Sequence, residues 1–387
     1  MAGIGSGTQA ESRQELDGRL TGVDRVLAAL ERALAPVTPV RAALRDAPGG
    51  VCASDVLASR SVPSRAQALI DGRAVASCEL IGASPLSPAF VTGEPPTVRV
   101  GDPVPPGCDS VIDGALVVGD AAPFEVHGAT APGEGVRRPG EDLMNGDVVV
   151  RAGARVSTVA LLALATAGIG ALDLRRPRLR IVAIPSEGDP VTARFVTALA
   201  AEEGAAPDMV CAEARDTESI VEALSGAWDA AFLVGGSGVS GDDCSVRALR
   251  RTGEAIAHGF ALDPGRTGAA GLVGGKPVLC LPGRFDSALA VYLALGRPVL
   301  RRLCADASNP AGRKGPLARK IASAVGLSQI ALLQFVDDAW APLGVGVATM
   351  SQLIRAHAYI LIPEGSEGLA EGTIVAPMLM PGRSRSE

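Results

Sequence analysis

The 387-residue chain is 47% hydrophobic with a mean hydropathy of +0.27, enough for several cores and too long for one small domain, so two to four units are expected. Its 36 basic and 42 acidic residues leave a formal charge of −6, which argues against a basic nucleic-acid surface, and no nucleic-acid partner is expected. Residues 156–172, the longest uncharged apolar run, are marginal for a membrane span and interrupted by Ser, Thr and Gly, so no membrane partner is expected either.

Residues 1–14 read as a polar tail, and the N-terminus lacks the apolar core of a signal peptide, so a cytoplasmic location is expected. Leu20, Val23, Val26, Leu27, Leu30 and Leu34 recur at helical spacing until Pro36 ends the pattern. Over about residues 52–147, short Val-rich runs alternate with Pro and Gly clusters, the texture of a small β domain with tight turns. Ser157 is a good N-cap for the apolar run behind it, and Gly168 a good stop; a buried helix and its exit turn are expected there. Residues 178–303 alternate strand-like runs (RLRIVA, AAFLV, KPVLCL) with helical ones, which implies a parallel α/β sheet. Asp189-Pro190 offers an N-cap and first helical position to one of those helices. NPAGRKGP reads as a linker, and the last unit, about 317–380, as a second small β domain. Aromatics are only 3%, so the cores must be built from Ala, Val and Leu. The seven cysteines form no C-x-x-C pair and the three histidines are isolated; neither a disulfide framework nor a zinc site is implied, and the histidines read as structural.

Four loops carry candidate chemistry. Gly235-Gly236-Ser237-Gly238-Val239-Ser240-Gly241-Asp242-Asp243 follows a strand and precedes a helix, so its backbone N–H groups can close around an anion. Asp242 and Asp243 would repel a bare phosphate unless a divalent cation lay between them. The plainer reading is a glycine-rich turn with Asp243 capping the next helix. Leu281-Pro282-Gly283-Arg284 follows another strand and should lie near the first loop, because ligands of such sheets bind beyond the carboxyl ends of the strands. Asp71-Gly72 between apolar runs is a hairpin signal and by itself reads as structural. Val136-Arg137-Arg138-Pro139-Gly140-Glu141-Asp142 is either a solvated face or a place for an anion at Arg137 and a cation at Asp142. No Walker loop, G-x-S-x-G elbow or H-E-x-x-H motif is present.

In chain order these pieces resemble one set of motifs. Residues 63–75 resemble P-x-x-x-x-S-A-M-D-G-Y-A-V, 101–109 resemble G-x-P-V-P-x-G-x-D, and 136–142 resemble I-R-x-x-G-E-D. Ser186-Glu187-Gly188-Asp189-Pro190 resembles S-T-G-D-E, 235–243 resemble G-G-V-S-V-G-x-x-D, and Asp263-Pro264-Gly265-Arg266 resembles K-P-G-K. Residues 281–285 resemble L-P-G-N-P, and 362–372 resemble I-P-E-G-x-x-x-L-x-x-G. These are motifs of the MoeA-type molybdopterin molybdenumtransferases, related to the gephyrin E domain, and the resemblance runs from about residue 20 to 380.

That resemblance implies a multidomain α/β plus β fold: an elongated linking domain (15–50 and 147–177), a small β domain (51–146), a MogA-like parallel α/β molybdopterin-binding domain (178–305) and a C-terminal β domain (313–382). It implies a homodimer whose site lies between the α/β domain of one subunit and the small β domain of the other. The implied reaction inserts molybdate into adenylylated molybdopterin and releases AMP, with Mg²⁺. Asp71, Asp142, Asp243 and Arg266 would be catalytic. Arg137, Glu141, Gly235, Gly236, Ser237, Gly238, Pro282, Gly283 and Arg284 would face the substrate, and Asp71, Asp142, Asp189 and Asp243 the metal. The molybdopterin adenylyltransferase or a molybdoenzyme would be a further partner.

The chain departs from the family at Pro190 (an acid there), Val100 (Thr), Asp263 and Arg266 (both Lys), Arg284-Phe285 (Asn-Pro) and Val345 (Ser). These departures keep a second reading open: a non-catalytic molybdopterin or cofactor binding and delivery protein on the same fold. A third reading, a dinucleotide-dependent oxidoreductase, rests on Gly236, Gly238 and Gly241 as G-x-G-x-x-G, and Asp242 and Asp243 oppose it. Arg284 is expected to replace a missing lysine and to hold an anion together with Arg266, its loss barely moving the melting temperature.

Overall fold

The computed structural model describes residues 16, 18–240 and 243–383. The expected tail, and Gly241 and Asp242 of the glycine loop, lie outside the described residues.

Helix α1 (Val23–Glu31) buries Val23, Val26 and Leu30, the stripe its spacing predicts. That stripe packs into the α/β core. Residues 15–50, expected as part of the linking unit, are therefore split. Residues 40–52 join that unit: the strand Val40–Ala43 and Val51–Cys52 flank Ala171–Arg175 in a three-stranded antiparallel sheet, and Ala47 is buried in its core. Beside it lies α2 (Thr158–Thr166), whose N-cap Ser157 accepts from the Ala160 N–H at 3.2 Å. Gly168 ends the turn behind α2 with φ +79°. The expected buried helix is only half right. Leu164 is buried, while Val159 and Leu162 are 76% and 70% exposed, because α2 is apolar on all sides and the sheet covers one of them. Ser157→Ala should cost about 1 kcal/mol in urea unfolding; no change would mean that packing alone holds the helix.

Residues 53–150 form short antiparallel pairings, among them Gly72–Val75 between Thr97–Val98 and Ser110–Ile112. Asp71-Gly72 is not the expected hairpin. Gln67–Ala68 pairs with Val136–Arg137 instead, so Asp71 links two sheets, and its Oδ1 accepts from the Val100 N–H at 2.8 Å.

The α/β unit holds a six-stranded sheet. Its elements in chain order are β1 (Arg178–Ala183), α3 (Val191–Glu202), β2 (Ala206–Cys211), α4 (Thr217–Ala223), β3 (Ala230–Val234), α5 (Ser245–Thr252), β4 (Glu254–His258), β5 (Ala269–Val273), β6 (Lys276–Leu281), α6 (Phe285–Val291) and α7 (Arg297–Cys304). The order across the sheet is β2-β1-β3-β6-β5-β4. The first four strands are parallel, as expected. The other two, β5 and β4, run antiparallel, so the sheet is mixed. The strands read as unbroken apolar runs because both faces are covered. Leu179, Ile181, Phe232 and Leu279 pack toward α1, α3, α6 and α7. Val182, Leu233, Val278 and Cys280 pack toward α4 and α5.

The C-terminal unit is a four-stranded antiparallel sheet: Ala339–Val345, Gln329–Val336, Ala358–Ile362 and Met378–Leu379. It also carries an unexpected helix, α8 (Met350–Arg355), begun by a Thr349–Gln352 capping box. The expected linker is partly structured, since Gly315–Pro316 pairs with Ile374–Val375. No helix among the described residues is long and apolar enough to cross a membrane.

Candidate active site

The loops leaving the carboxyl ends of β1, β3 and β6, together with residues 263–267, wall one cleft of about 670 Å³. The parallel strands deliver the loops to one edge, as the switch-point rule anticipates. Backbone and side-chain hydrogen bonds bind the loops to one another. The Gly235 N–H donates to the Leu281 carbonyl at 2.9 Å, and the Thr192 hydroxyl donates to the Gly283 carbonyl at 2.8 Å. Arg215 reaches in from the loop before α4, donating to the Pro185 carbonyl at 3.2 Å and to Asp243 at 2.7 Å. Residues 263–267 are steadied from outside the sheet: the Asp263 N–H donates to the Ser328 carbonyl at 2.9 Å, and the Ser328 N–H to the Ala261 carbonyl at 2.7 Å. Val347 of the C-terminal unit completes the rim.

Gly235, Gly236, Ser237, Gly238, Asp189, Asp243, Arg266, Pro282, Gly283 and Arg284, predicted from loops far apart in sequence, all line this cleft. Asp71, Arg137, Glu141 and Asp142, of the small β unit, are not among the lining residues. Their polar atoms are engaged locally. Asp142 pairs with Arg137 at 3.3 Å, and Glu141 accepts from the Arg138 N–H at 2.7 Å.

The cleft's cations are matched by carboxylates. Arg215 is paired with Asp243, Arg266 with Asp263 at 3.4 Å, and Arg284 with Asp286 at 3.1 and 2.5 Å. Asp243 does not cap α5; its second oxygen accepts from the Ser240 N–H at 2.9 Å. Asp189 does not cap α3 either. Pro190 takes that position, and Asp189 pairs with Arg194 at 3.0 Å. Burial pushes the Asp286 carboxyl upward, but hydrogen bonds from Arg284 and the Ser287 N–H, with the guanidinium charge, bring it below the usual aspartate value. Burial pushes the Cys280 thiol, on β6, up to about 12, so it supplies no thiolate near neutral pH.

Among the described residues of one chain, no three His, Cys, Asp or Glu side chains gather closely enough to hold a metal ion. The expected Mg²⁺ set of Asp71, Asp142, Asp189 and Asp243 is therefore not assembled within a single chain. His258, taken from the sequence as an isolated structural residue, lies against the back of the glycine loop: its Nε2 is 3.1 Å from the Ser237 carbonyl. Its strand β4 was not anticipated, and no spacing in the sequence joins it to that loop.

A cleft at the carboxyl edge of a parallel sheet, ringed by a glycine loop and paired arginines, stands where α/β domains take their ligands. Residues 21–168 match the family described as the MoeA N-terminal region (domain I and II), and residues 189–302 match the probable molybdopterin binding domain. Molybdopterin molybdenumtransferase 2 of Mycobacterium tuberculosis is 29% identical over 320 residues, covering 72% of this chain and 77% of the relative. Molybdopterin molybdenumtransferase 1 of the same organism is 24% identical over 421 aligned positions, covering 92% and 98%. A crystal structure of the molybdopterin biosynthesis MoeA protein from Pyrococcus horikoshii shares the fold, with a TM-score of 0.67, 21% identity, and coverage of 92% of this chain and 99% of that one. The chain belongs to the MoeA family.

Proposed function

We propose that this protein is a molybdopterin molybdenumtransferase of cytoplasmic molybdenum cofactor biosynthesis, inserting molybdate into adenylylated molybdopterin with release of AMP. The observation that carries this reading is the convergence of the loops at 186–192, 263–267 and 282–284 with Gly235–Gly238 and Asp243 on one cleft, in a chain of this family. In this reading the glycine loop and Pro282-Gly283 hold the pterin phosphates, and Arg266 and Arg284 draw in the oxyanion. Asp71, Arg137, Glu141 and Asp142 are then supplied by the small β unit of a second copy, since they do not line the cleft of their own chain. The exposed apolar side of α2, with Val159 and Leu162, supports a homodimer. Mg²⁺ bound between the copies would polarise the phosphoanhydride; the metal site and the homodimer stand or fall together.

The test is AMP release from adenylylated molybdopterin with molybdate and Mg²⁺. Asp142→Asn should cut the rate at least about 10-fold while leaving the melting temperature unchanged, because an exposed ion pair contributes about 0–1 kcal/mol. A monomer by light scattering at micromolar concentration, or full activity in Asp142→Asn, would remove the shared site.

A second reading, binding and delivery of molybdopterin or finished cofactor without turnover, is favoured by the internal pairing of Arg215, Arg266 and Arg284. Tight pterin binding without AMP release would select it. The dinucleotide reading is set aside by the family match and by the place of the glycine loop after β3, the third strand of the unit.

A further inference from the structure

We propose that His258 is a positioning residue: with Ser245 it clamps the glycine loop from behind, so that Ser237 presents its N–H and hydroxyl to a bound phosphoryl or molybdate oxygen. The proposal rests on the reading of the cleft as an oxyanion site.

Three consecutive carbonyls of the loop are held by groups behind it. The Gly235 carbonyl accepts from the Ser245 hydroxyl at 2.6 Å. The Gly236 carbonyl accepts from the Ser245 N–H at 3.0 Å. The Ser237 carbonyl lies 3.1 Å from His258 Nε2. A carbonyl can only accept, so Nε2 carries the proton in this contact. Ser245 and His258 are both fully buried, and the three carbonyls therefore point into the protein. A planar trans peptide sets each N–H opposite the preceding carbonyl. With the Gly236 carbonyl drawn inward, the Ser237 N–H is turned outward. Successive N–H groups turned to one side form an anion-binding concavity.

Two further observations point the same way. Gly236 has φ +62°, and a Cβ there would come within 2.8 Å of the Ser245 hydroxyl, so the loop lies flat on its clamp only as glycine. Ser237 lines the cleft and is 1% exposed, yet its hydroxyl has no hydrogen-bond partner among the described residues. A buried hydroxyl left without a partner is costly, and an oxyanion in the cleft would supply the missing acceptor. His258 has no place in the lining of the cleft; it acts through Ser237.

The test is calorimetric binding of AMP and of inorganic phosphate to the full-length protein at fixed pH and Mg²⁺, with melting temperatures alongside. His258→Leu removes the donor and should weaken AMP binding about 3- to 10-fold. His258→Gln keeps an amide N–H of similar reach and should restore affinity to within about 2-fold of the parent. Ser237→Ala should weaken binding about 3- to 10-fold with an unchanged or higher melting temperature, since it removes an unsatisfied hydroxyl. If the parent binds both ligands but His258→Gln binds as poorly as His258→Leu, or Ser237→Ala binds as the parent does, the proposal is wrong while the cleft reading stands. Parental affinity in Ser237→Ala alone is enough to overturn it, even where His258→Leu does not fold. If the parent binds neither ligand, the cleft reading fails and takes the proposal with it.

Discussion

Arg297→Met is expected to destabilise the protein by about 3–5 kcal/mol in urea unfolding at neutral pH, the usual loss when one partner of a buried ion pair is removed. Arg297, on α7, is 4% exposed, and its Nε lies 2.8 Å from Glu203 Oε1. Glu203, itself 3% exposed, is also met by Arg155 at 2.9 Å. Arg155 continues to Asp306 at 2.7 Å, which Arg301 reaches at 2.9 Å. On its other side Arg297 donates to the Leu379 carbonyl at 2.7 Å and to the Tyr359 hydroxyl at 3.3 Å. One buried network thus joins the segment before α2, the α/β unit and the C-terminal sheet. Methionine would fill the volume but strand the Glu203 charge on a single partner and leave the Leu379 carbonyl unmet. A loss under about 1 kcal/mol would mean that water replaces the guanidinium and that apolar packing alone docks the three units.

The same network fixes a pH dependence. Burial pushes the Asp306 carboxyl upward, but its Ser308 hydrogen bonds and the Arg155 and Arg301 charges outweigh that and hold it below the usual aspartate value. A carboxylate depressed in the folded state contributes stability above its unfolded value of about 3.9. That contribution is lost as the pH falls through the lower folded value. Acid unfolding should therefore steepen below about pH 4.

The sequence made the cleft legible because a buried parallel strand must be apolar along its whole length and must end in a loop at a common edge. RLRIVA, AAFLV and KPVLCL carried that signal, and the loops of Ser186, Gly235 and Pro282 follow from it, whereas Asp263 was reached only through its resemblance to K-P-G-K. The remainder depends on contacts between segments far apart. Arg297 and Arg155 are ordinary surface-like letters until the fold buries them together. His258 gave no signal because its meaning is a single contact to a carbonyl twenty-one residues away. Asp71-Gly72 misled, since the same dipeptide that closes a hairpin also serves where the chain passes between sheets. Gly72 is still required: a Cβ there would lie 2.0 Å from the Ile112 carbonyl oxygen.

Arg284→Ala is expected to weaken binding of the anionic ligand by roughly 10- to 150-fold, the effect of losing one charge-assisted contact of about 1.5–3 kcal/mol. The sequence alone suggested that this substitution would barely move the melting temperature. The structure changes that expectation, because the guanidinium grips Asp286 through two N–H groups at 3.1 and 2.5 Å. Asp286 is 3% exposed and sits in the first turn of α6, where its charge favours the helix N-terminus. Alanine would leave that carboxylate with the Ser287 contacts alone and should cost about 1–3 kcal/mol. The Arg284 side chain is 66% exposed, so solvent softens the loss and the lower part of that range is expected. Asp286→Asn separates the two roles. It removes the internal competitor and frees the guanidinium, so ligand affinity should hold or rise although the helix start is weakened. Affinity falling in Arg284→Ala and holding in Asp286→Asn would assign Arg284 to the anion, with Asp286 as the carboxylate that keeps it in place. A change under about 3-fold in Arg284→Ala at low salt would leave Arg284 as a helix-start partner only, and the cleft would then depend on Arg266 and the glycine loop for its anion.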